Sequence, residues 1–323
     1  MDDIVNSDGD MTPKPKLLFT GGGGSGAGAF KNLLSSKYES FFADADKEAK
    51  PYNIDRKNWH SLPNANSSNF INEVIKLCAQ LSIDLLIPSV DEELIPLAKV
   101  RSKLPCNLLL PPEAFIATHL DKLESNRTLV SNGLPAPKTL LCGEQPLDFP
   151  CVVKPRTGRG SRHFLIAESM EDVHAHILLS RLGASNFIYQ EFLLGDEFTV
   201  LIFSDLKGRL QSIVPVKVGL KKGITIRATT VFDDAVISAC QKIHETNPIS
   251  GCYNIQLMKT AEGMVLPFEI NPRISTTSCL AFAAGVDFFA PFVGLKETSE
   301  GKTFVKDFHV GLKIKRSWHN EIF

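Results

Sequence analysis

Four polar side chains in the C-terminal third of the chain have the types and spacing of a metal site. Two short apolar strands flank residues 262–263, a Glu-Gly pair that is typical of a two-residue hairpin turn. A turn of that length pairs Gln256 with Glu269 and Asn254 with Asn271. Because side chains alternate along a strand, Glu269 and Asn271 lie on one side of the hairpin, about 7 Å apart. The sequence therefore predicts one surface that carries a carboxylate and three amides.

Side chains of this kind suit a magnesium ion, which prefers one or two carboxylates supplemented by phosphate oxygens and water. Arg273, two residues beyond Asn271, adds a guanidinium group that suits phosphate oxygens. The same residue types also fit the solvated face of an antiparallel hairpin. The pattern alone leaves both interpretations open.

Two lysines and a glycine-rich loop form a second group of candidates. Lys154 lies in a strand predicted over residues 151–155, and the loop that follows contains Gly158, Gly160 and Ser161. Missing β carbons in such a loop let backbone amides approach an anion. Lys122 stands at the predicted start of a helix. Each lysine taken alone is also compatible with an ordinary surface charge.

Two acidic residues flank a predicted turn near the middle of the chain. Glu191 precedes Phe192 and Leu193, and Glu197 follows a few residues later. A carboxylate accepts hydrogen bonds from two vicinal hydroxyl groups, which is one possible use of Glu197. Without further context, the pair is equally typical of two solvated residues beside a turn.

The order of these motifs resembles the ATP-grasp superfamily, in particular the large chain of carbamoyl phosphate synthase and its stand-alone relatives. The resemblance covers nearly the whole chain from Lys16. Its motifs are residues 122, 152–155, 157–162, 190–193, 195–200, 254–257 and 268–275. It implies an α/β protein with the ATP-grasp fold, in which an N-terminal Rossmann-like, parallel-sheet domain (the pre-ATP-grasp domain) precedes an α+β nucleotide-binding region.

The resemblance also implies a role for each motif, with ATP and Mg²⁺ (or Mn²⁺) as cofactors. Lys154 and Arg273 are the implied catalytic residues. The implied binding roles are metal ligation by Gln256, Glu269 and Asn271, phosphate contacts from Lys122 and Lys154, a flap over the triphosphate at Gly158, Gly160 and Ser161, adenine contacts from Glu191, Phe192 and Leu193, and ribose contacts from Glu197.

The activity implied by the resemblance is that of an ATP-dependent ligase, which activates a carboxylate as an acyl phosphate and transfers it to an amine. Amino-acid-like substrates are expected, with Lys222, Arg227 and Ser275 as candidate contacts. The alternative within the family is phosphorylation of bicarbonate or carbamate. The ligase is preferred because the chain has one nucleotide-binding region and lacks the duplicated halves of the synthase.

A glycine-rich loop near the N-terminus supports a different function. Gly21, Gly23 and Gly26 follow a predicted strand in the pattern G-x-G-x-x-G, and Asp44 lies about twenty residues further on. This arrangement is typical of NAD-dependent dehydrogenases. The ATP-grasp resemblance implies instead that this loop faces the acceptor site.

Strands and helices alternate from Lys16 onwards, which predicts a parallel, Rossmann-like sheet. Helices are predicted over residues 70–81 and 170–181. The composition changes near residue 115, where we place a domain boundary. The predicted organisation is a disordered arm at 1–15, a Rossmann-like domain at 16–115, an ATP-grasp lid subdomain at 116–190 and a C-terminal catalytic subdomain at 191–323.

The bulk composition favours small-molecule partners. The 35 basic and 36 acidic residues nearly cancel, which argues against a nucleic-acid or membrane partner. The chain has neither a long apolar run nor a signal-peptide pattern, so a cytoplasmic location is predicted. The seven cysteines contain no C-x-x-C motif, and neither a disulfide framework nor a zinc site is predicted. The resemblance also allows a homodimer.

Overall fold

The computed structural model describes residues 13–144, 148–295 and 307–317, and this part of the chain contains three β-sheets. Residues 1–12 of the predicted arm lie outside the described residues. The prediction of an α/β fold is confirmed, with one parallel sheet followed by two antiparallel sheets.

The first sheet is parallel and consists of β1 (Lys16–Thr20), β2 (Glu39–Asp44), β3 (Trp59–Ser61), β4 (Leu85–Ile87) and β5 (Asn107–Leu108), in the order β3-β2-β1-β4-β5. The connections contain α1 (Ala27–Leu34), α2 (Phe70–Leu81) and α3 (Asp91–Lys99). Strands β1 and β4 are apolar because helices cover both faces of the sheet. The strand order reverses between β1 and β4, so the loops after these strands border a crevice.

Two helices, α4 (Glu113–Leu120) and α5 (Lys122–Ser131), connect the first sheet to the rest of the chain. The predicted boundary near residue 115 falls inside α4. Phe115 packs in the same hydrophobic cluster as Tyr253, whereas its neighbour Ile116 packs with the first sheet. Helix α4 therefore contributes to two cores at once.

The second sheet is antiparallel and small. It consists of β6 (Thr139–Leu141), β7 (Cys151–Pro155), β8 (Leu165–Ala167) and β9 (Phe187–Glu191), in the order β6-β9-β7-β8, with helix α6 (Met170–Ser180) between β8 and β9. Its core includes Val153, Phe187 and Tyr189. The glycine-rich loop that contains Gly158 and Gly160 connects β7 to β8.

The third sheet consists of β10 (Asp196–Ser204), β11 (Leu210–Lys222), β12 (Ile224–Thr230), β13 (Gly251–Lys259), β14 (Val265–Asn271) and β15 (Lys313–Lys315), with α7 (Asp234–Thr246) and α8 (Ser278–Ala283). Its order is β14-β13-β10-β11-β12-β15. One face packs against α7, and the other shares a core with the first domain through Leu201, Phe19 and Phe289. The first and third sheets are therefore held together by buried apolar surface.

The predicted pairing in the hairpin of β13 and β14 is confirmed at the four polar residues. Gln256 pairs with Glu269, and Asn254 pairs with Asn271. Because residues paired across antiparallel strands point to the same side, all four side chains lie on one face of the sheet.

The predicted two-residue turn of this hairpin is wrong. The N–H of Gly263 donates to Thr260 O at 3.0 Å, and the N–H of Thr260 donates to Met264 O at 2.9 Å, so three residues form the loop. Gly263 adopts φ +85°, which glycine tolerates. The outer half of the hairpin is thereby offset by one residue. A β-bulge at Phe268, which has no partner in the ladder, restores the predicted pairing further along.

Candidate active site

A cavity of about 300 Å³ lies where the three sheets meet. Its walls come from the glycine-rich loop after β1, the glycine-rich loop after β7, and strands of the third sheet with the segment at residues 273–277. The predicted site residues that line it are Gly160, Gln256, Glu269, Asn271, Arg273 and Ser275. The cavity therefore combines the first domain with both antiparallel sheets.

The three predicted metal ligands are close together and half-buried on one wall of the cavity. The Nδ2 of Asn271 donates to Asn254 Oδ1 at 3.4 Å, and the Nδ2 of Asn254 donates to Arg273 O at 3.0 Å. These bonds orient the side-chain oxygen of Asn271 away from Asn254. Glu269 supplies the carboxylate, and Gln256 supplies a second amide oxygen.

Three lysines surround the carboxylate of Glu269. Burial raises the pKa of Glu269, but the charges of Lys122, Lys154 and Lys221, with a hydrogen bond from Asn271, bring the pKa below its ordinary value. Glu269 is therefore ionised at neutral pH. The excess of positive charge around it is the kind of field that attracts a polyanion.

Lys154 is the most buried of these lysines, with a relative exposure of 6%. Burial lowers the pKa of Lys154 to about 8, although the negative charge of Glu269 acts in the opposite direction. Its Nζ donates to Phe268 O at 3.4 Å and lies 5.3 Å from the centre of the Phe268 ring. Among the described residues, no carboxylate lies within ion-pair distance of it. The bulged residue Phe268 thus supports Lys154 with a carbonyl and an aromatic face.

Lys221 is a site residue that the sequence interpretation did not single out. Its Nζ donates to Glu197 Oε1 at 2.6 Å and to Gln256 Oε1 at 2.9 Å. The predicted ribose contact and a predicted metal ligand are therefore bridged by one ammonium group. Lys222 and Arg227, the predicted substrate contacts, are exposed and lie outside the lining of the cavity. Their assignment to the substrate stays a prediction.

The segment predicted to contact adenine lies at the end of β9, outside the lining of this cavity. The N–H of Glu191 donates to Lys138 O at 2.9 Å, and the N–H of Lys138 donates to Glu191 Oε2 at 3.2 Å. Phe192 and Leu193 follow as half-buried residues in the connection to β10. Backbone groups of this connection are the ones that the prediction assigns to the base.

The glycine-rich loop after β7, residues 156–164, which we call the flap, contains several residues with positive φ. Gly158, Gly160 and Ser161 have φ values of +104°, +74° and +54°. Lys122 reaches the flap from the start of α5, with its Nζ donating to Gly158 O at 2.7 Å. On the other side, Arg159 Nε lies 3.3 Å from Glu92 Oε2 in α3. The flap is therefore held both by α5 and by the first domain.

Arg273, predicted to be catalytic, is oriented by a residue of the first domain. Its Nε donates to Asp91 Oδ1 at 2.6 Å, and both side chains are largely buried. Its Nη1 donates to Ile274 O at 3.2 Å. Of the three predicted substrate contacts, Ser275 lines the cavity, and its hydroxyl oxygen accepts a hydrogen bond from the N–H of Thr277 at 3.2 Å. The sequence signal for Asp91 was the acidic run at residues 91–93, which was not interpreted.

Beneath the N-terminal glycine loop lies a buried acid. The hydroxyl of Thr20 donates a hydrogen bond to Glu93. Burial raises the pKa of Glu93 to about 7, although the hydrogen bond from Thr20 acts to lower it. Asp44 accepts hydrogen bonds from the N–H groups of Gly23 at 2.9 Å and Asp46 at 3.0 Å. The carboxylate that the dehydrogenase alternative assigns to a ribose is therefore used to hold the loop itself.

Comparisons with known proteins agree on the type of fold. A family described as "ATP-grasp in the biosynthetic pathway with Ter operon" matches residues 184–316. No curated protein sequence matches the chain. Within the described residues, no helix has the length and apolar character needed to cross a bilayer.

Solved structures with similar folds cover most of the chain. An L-amino acid ligase from Bacillus licheniformis has a TM-score of 0.66 and 15% identity over 88% of this chain and 74% of its own. A carboxyaminoimidazole ribonucleotide synthase from Aspergillus clavatus, solved with ATP, has a TM-score of 0.69 and 15% identity over 91% and 80%. The biotin carboxylase domain of a 2-oxoglutarate carboxylase from Hydrogenobacter thermophilus was solved with MgADP and bicarbonate. It has a TM-score of 0.69 and 11% identity over 92% of this chain and 73% of its own.

Proposed function

We propose that the chain is an ATP-dependent ligase of the ATP-grasp superfamily, because an ATP-grasp family matches residues 184–316 and most of the chain has the fold of solved ligases and synthetases. It activates a carboxylate as an acyl phosphate and transfers the acyl group to an amine, releasing ADP and phosphate. Its substrates are small molecules in the cytoplasm. The L-amino acid ligase among the similar structures favours amino-acid-like substrates.

The observation that carries this proposal is the convergence of Lys122, Lys154 and Lys221 on Glu269. A buried ammonium group is costly unless an anion compensates it, and Lys154 has no carboxylate at ion-pair distance among the described residues. Three lysines outnumber the two carboxylates among them, Glu269 and Glu197, and the remaining positive charge suits a ligand with several negative charges. A triphosphate meets this requirement.

The residues present also fit a magnesium ion bound with that triphosphate. Glu269, Asn271 and Gln256 would hold it through oxygen atoms, which are the ligands that magnesium prefers. When bound, the ion neutralises negative charge on the phosphate oxygens. Gln256 would then exchange its hydrogen bond from Lys221 for the metal, which frees one N–H donor of Lys221 for a phosphate oxygen while another stays bonded to Glu197.

The other groups of the cavity match the later requirements of the reaction. Arg273 lines the cavity with its Nε fixed by Asp91, so the outer part of its guanidinium group is pre-oriented toward a transferring phosphoryl group. The flap lies over the cavity and would limit the access of water to an acyl phosphate. The glycine-rich loop after β1 forms the opposite wall, where the acceptor would be bound.

The proposal is tested by measuring ADP release from MgATP in a screen of amino acids, dicarboxylates and simple amines. We expect one acid and amine pair to stimulate ADP release, and Glu269→Ala to reduce the stimulated rate about 100-fold or more with an unchanged circular dichroism spectrum. Glu262→Ala is the matched control, because Glu262 is an exposed glutamate at the tip of the same hairpin. Wild-type activity in Glu269→Ala, or ATP binding without ADP release for every acid tested, would contradict the proposal.

A further inference from the structure

Three arginines occur at every third position of the flap, and they differ in their partners. Arg156 Nη2 lies 2.5 Å from Asp121 Oδ2, which fixes the start of the flap to the N-terminus of α5. Arg159 is paired with Glu92 of the first domain. Arg162, in contrast, has no carboxylate within ion-pair distance among the described residues, although it lines the cavity.

The charges around the cavity make Arg162 distinctive. Its lining contains four cationic side chains, Arg159, Arg162, Lys221 and Arg273, and one acidic side chain, Glu269. Three of the cations have carboxylate partners, which are Glu92, Glu197 and Asp91. In the described part of the lining, Arg162 is the guanidinium group whose charge is not compensated. Its five donors are therefore available to a ligand.

The backbone on either side of Arg162 is held in a conformation that non-glycine residues rarely adopt. Ser161 and His163 have φ values of +54° and +52°, and each such residue costs about 1–2 kcal/mol. The Nε2 of His176 lies 2.9 Å from His163 O, which anchors the far side of the turn to α6. Strain of this kind persists when the surrounding structure maintains it. Arg162, whose side chain is exposed, lies between these two residues of restricted backbone and lines the cavity.

We propose that Arg162 binds an anionic oxygen group of the ligand in the cavity, either the terminal phosphate of the nucleotide or the carboxylate of the acid substrate. A guanidinium group forms two parallel hydrogen bonds with either group. This proposal rests on the proposed function for the identity of the ligand. Its electrostatic basis, an arginine that lines the cavity and has no carboxylate partner among the described residues, does not depend on the proposed function.

The experiment compares Arg162→Ala and Arg162→Lys with the wild type. Arg127→Ala is the matched control, because Arg127 is an arginine on the outer face of α5, paired with Glu124. Calorimetry measures the affinities for MgADP and for a non-hydrolysable ATP analogue, and ADP release gives the KM of the acid. Thermal unfolding in the presence of inorganic tripolyphosphate and of citrate measures anion binding without a nucleotide.

Loss of a bidentate contact should weaken the binding of either the ATP analogue or the acid substrate about tenfold or more in Arg162→Ala. Arg162→Lys should recover part of that loss. Weaker binding of the ATP analogue, with an unchanged affinity for MgADP, identifies the terminal phosphate as the bound group. An increased KM for the acid with unchanged nucleotide affinities identifies the carboxylate. Values within twofold of the wild type for the nucleotides and the acid would overturn the proposal.

The proposed function and the role of Arg162 can fail separately. If the wild type binds no nucleotide, the proposed function fails. The role of Arg162 then stands if tripolyphosphate or citrate raises the unfolding temperature of the wild type and not that of Arg162→Ala. It is overturned if both proteins are stabilised equally, or if neither anion stabilises the wild type.

Discussion

Two loops of this molecule are rich in glycine and follow a strand, but they use glycine for different reasons. In the loop after β1, a β carbon on Gly21 would lie 2.3 Å from Val90 Cγ2, and one on Gly23 would lie 2.5 Å from the β carbon of Ala49. In the flap, a β carbon on Gly158 or Gly160 would meet nothing within 4 Å. The first loop needs glycine for packing, at Gly21 together with a positive φ, whereas Gly158 and Gly160 of the flap need it for backbone conformation alone. A glycine pattern in a sequence does not distinguish these two uses.

Matched alanine substitutions in the two loops should give the largest contrast. Gly21 and Gly160 have similar φ values, +63° and +74°, so the backbone strain is nearly equal and the packing differs. We expect Gly21→Ala to lower the free energy of unfolding by about 2–4 kcal/mol, because the added carbon clashes with Val90. Gly160→Ala should lower it by about 1 kcal/mol and reduce ADP release instead. Urea unfolding and activity assays measure both, and a larger loss of stability in Gly160→Ala would break the comparison.

The pH dependence of nucleotide binding should identify the flap side as the anion site. Lys154 precedes the flap and has a pKa of about 8, so it loses its charge as the pH rises through that value. We expect the affinity for a non-hydrolysable ATP analogue to fall about fivefold between pH 8 and pH 9. The arginine in Lys154→Arg keeps its charge in this range, so the affinity of this variant for the ATP analogue should vary less with pH. Titration calorimetry at several pH values measures this, and equal pH dependence in both proteins would exclude Lys154.

The same pKa shift has the opposite effect on stability. Because the pKa of Lys154 is lower in the folded protein than its ordinary value of 10.5, the folded state binds fewer protons between about pH 8 and 10.5. The contribution of Lys154 to the free energy of unfolding therefore becomes more favourable as the pH rises through this interval. A loss of nucleotide affinity above pH 8 in a protein that remains folded is thus attributable to the site.

The smallest effect is expected at the contact between the flap and the first domain. Arg159 and Glu92 are partly exposed, and ion pairs of this kind contribute about 0.2–1 kcal/mol. Arg159→Glu should therefore weaken binding of the ATP analogue by up to about fivefold, and less in high salt. The double variant Arg159→Glu with Glu92→Arg should restore most of the affinity. Failure of the double variant to restore affinity would indicate that Arg159 acts through another contact.

Elements bounded by strong local signals were predicted well from the sequence. The helix predicted over residues 70–81 coincides with α2, and the strand at residues 151–155 coincides with β7. Helix α3 was missed because Pro96, a helix-breaking residue, lies inside it, although its acidic first turn is typical of a helix start. That omission also removed Asp91 and Glu92 from the predicted site. Their roles depend on a neighbouring domain, which local patterns do not contain.

The choice of Lys222 instead of Lys221 illustrates a second limit of sequence patterns. Val214 and Val216 of β11 face the core that the third sheet shares with the first domain, and simple alternation would place Lys222 on that face. Register shifts on either side of Leu220 change the alternation, so Lys221 points to the cavity and Lys222 to solvent. A one-residue irregularity in a strand leaves no clear signal in its sequence.

The hairpin of β13 and β14 combines both lessons, since the polar residues pair as predicted although the turn does not have the predicted length. The bulge at Phe268 accounts for this, because it ends one pairing register and begins another. For protein engineering, the consequence is that the exposed tip at Ala261 is a suitable place to insert a peptide tag or attach a fluorophore. We expect changes there to be absorbed in the outer ladder, so that Glu269 and its partners keep their positions.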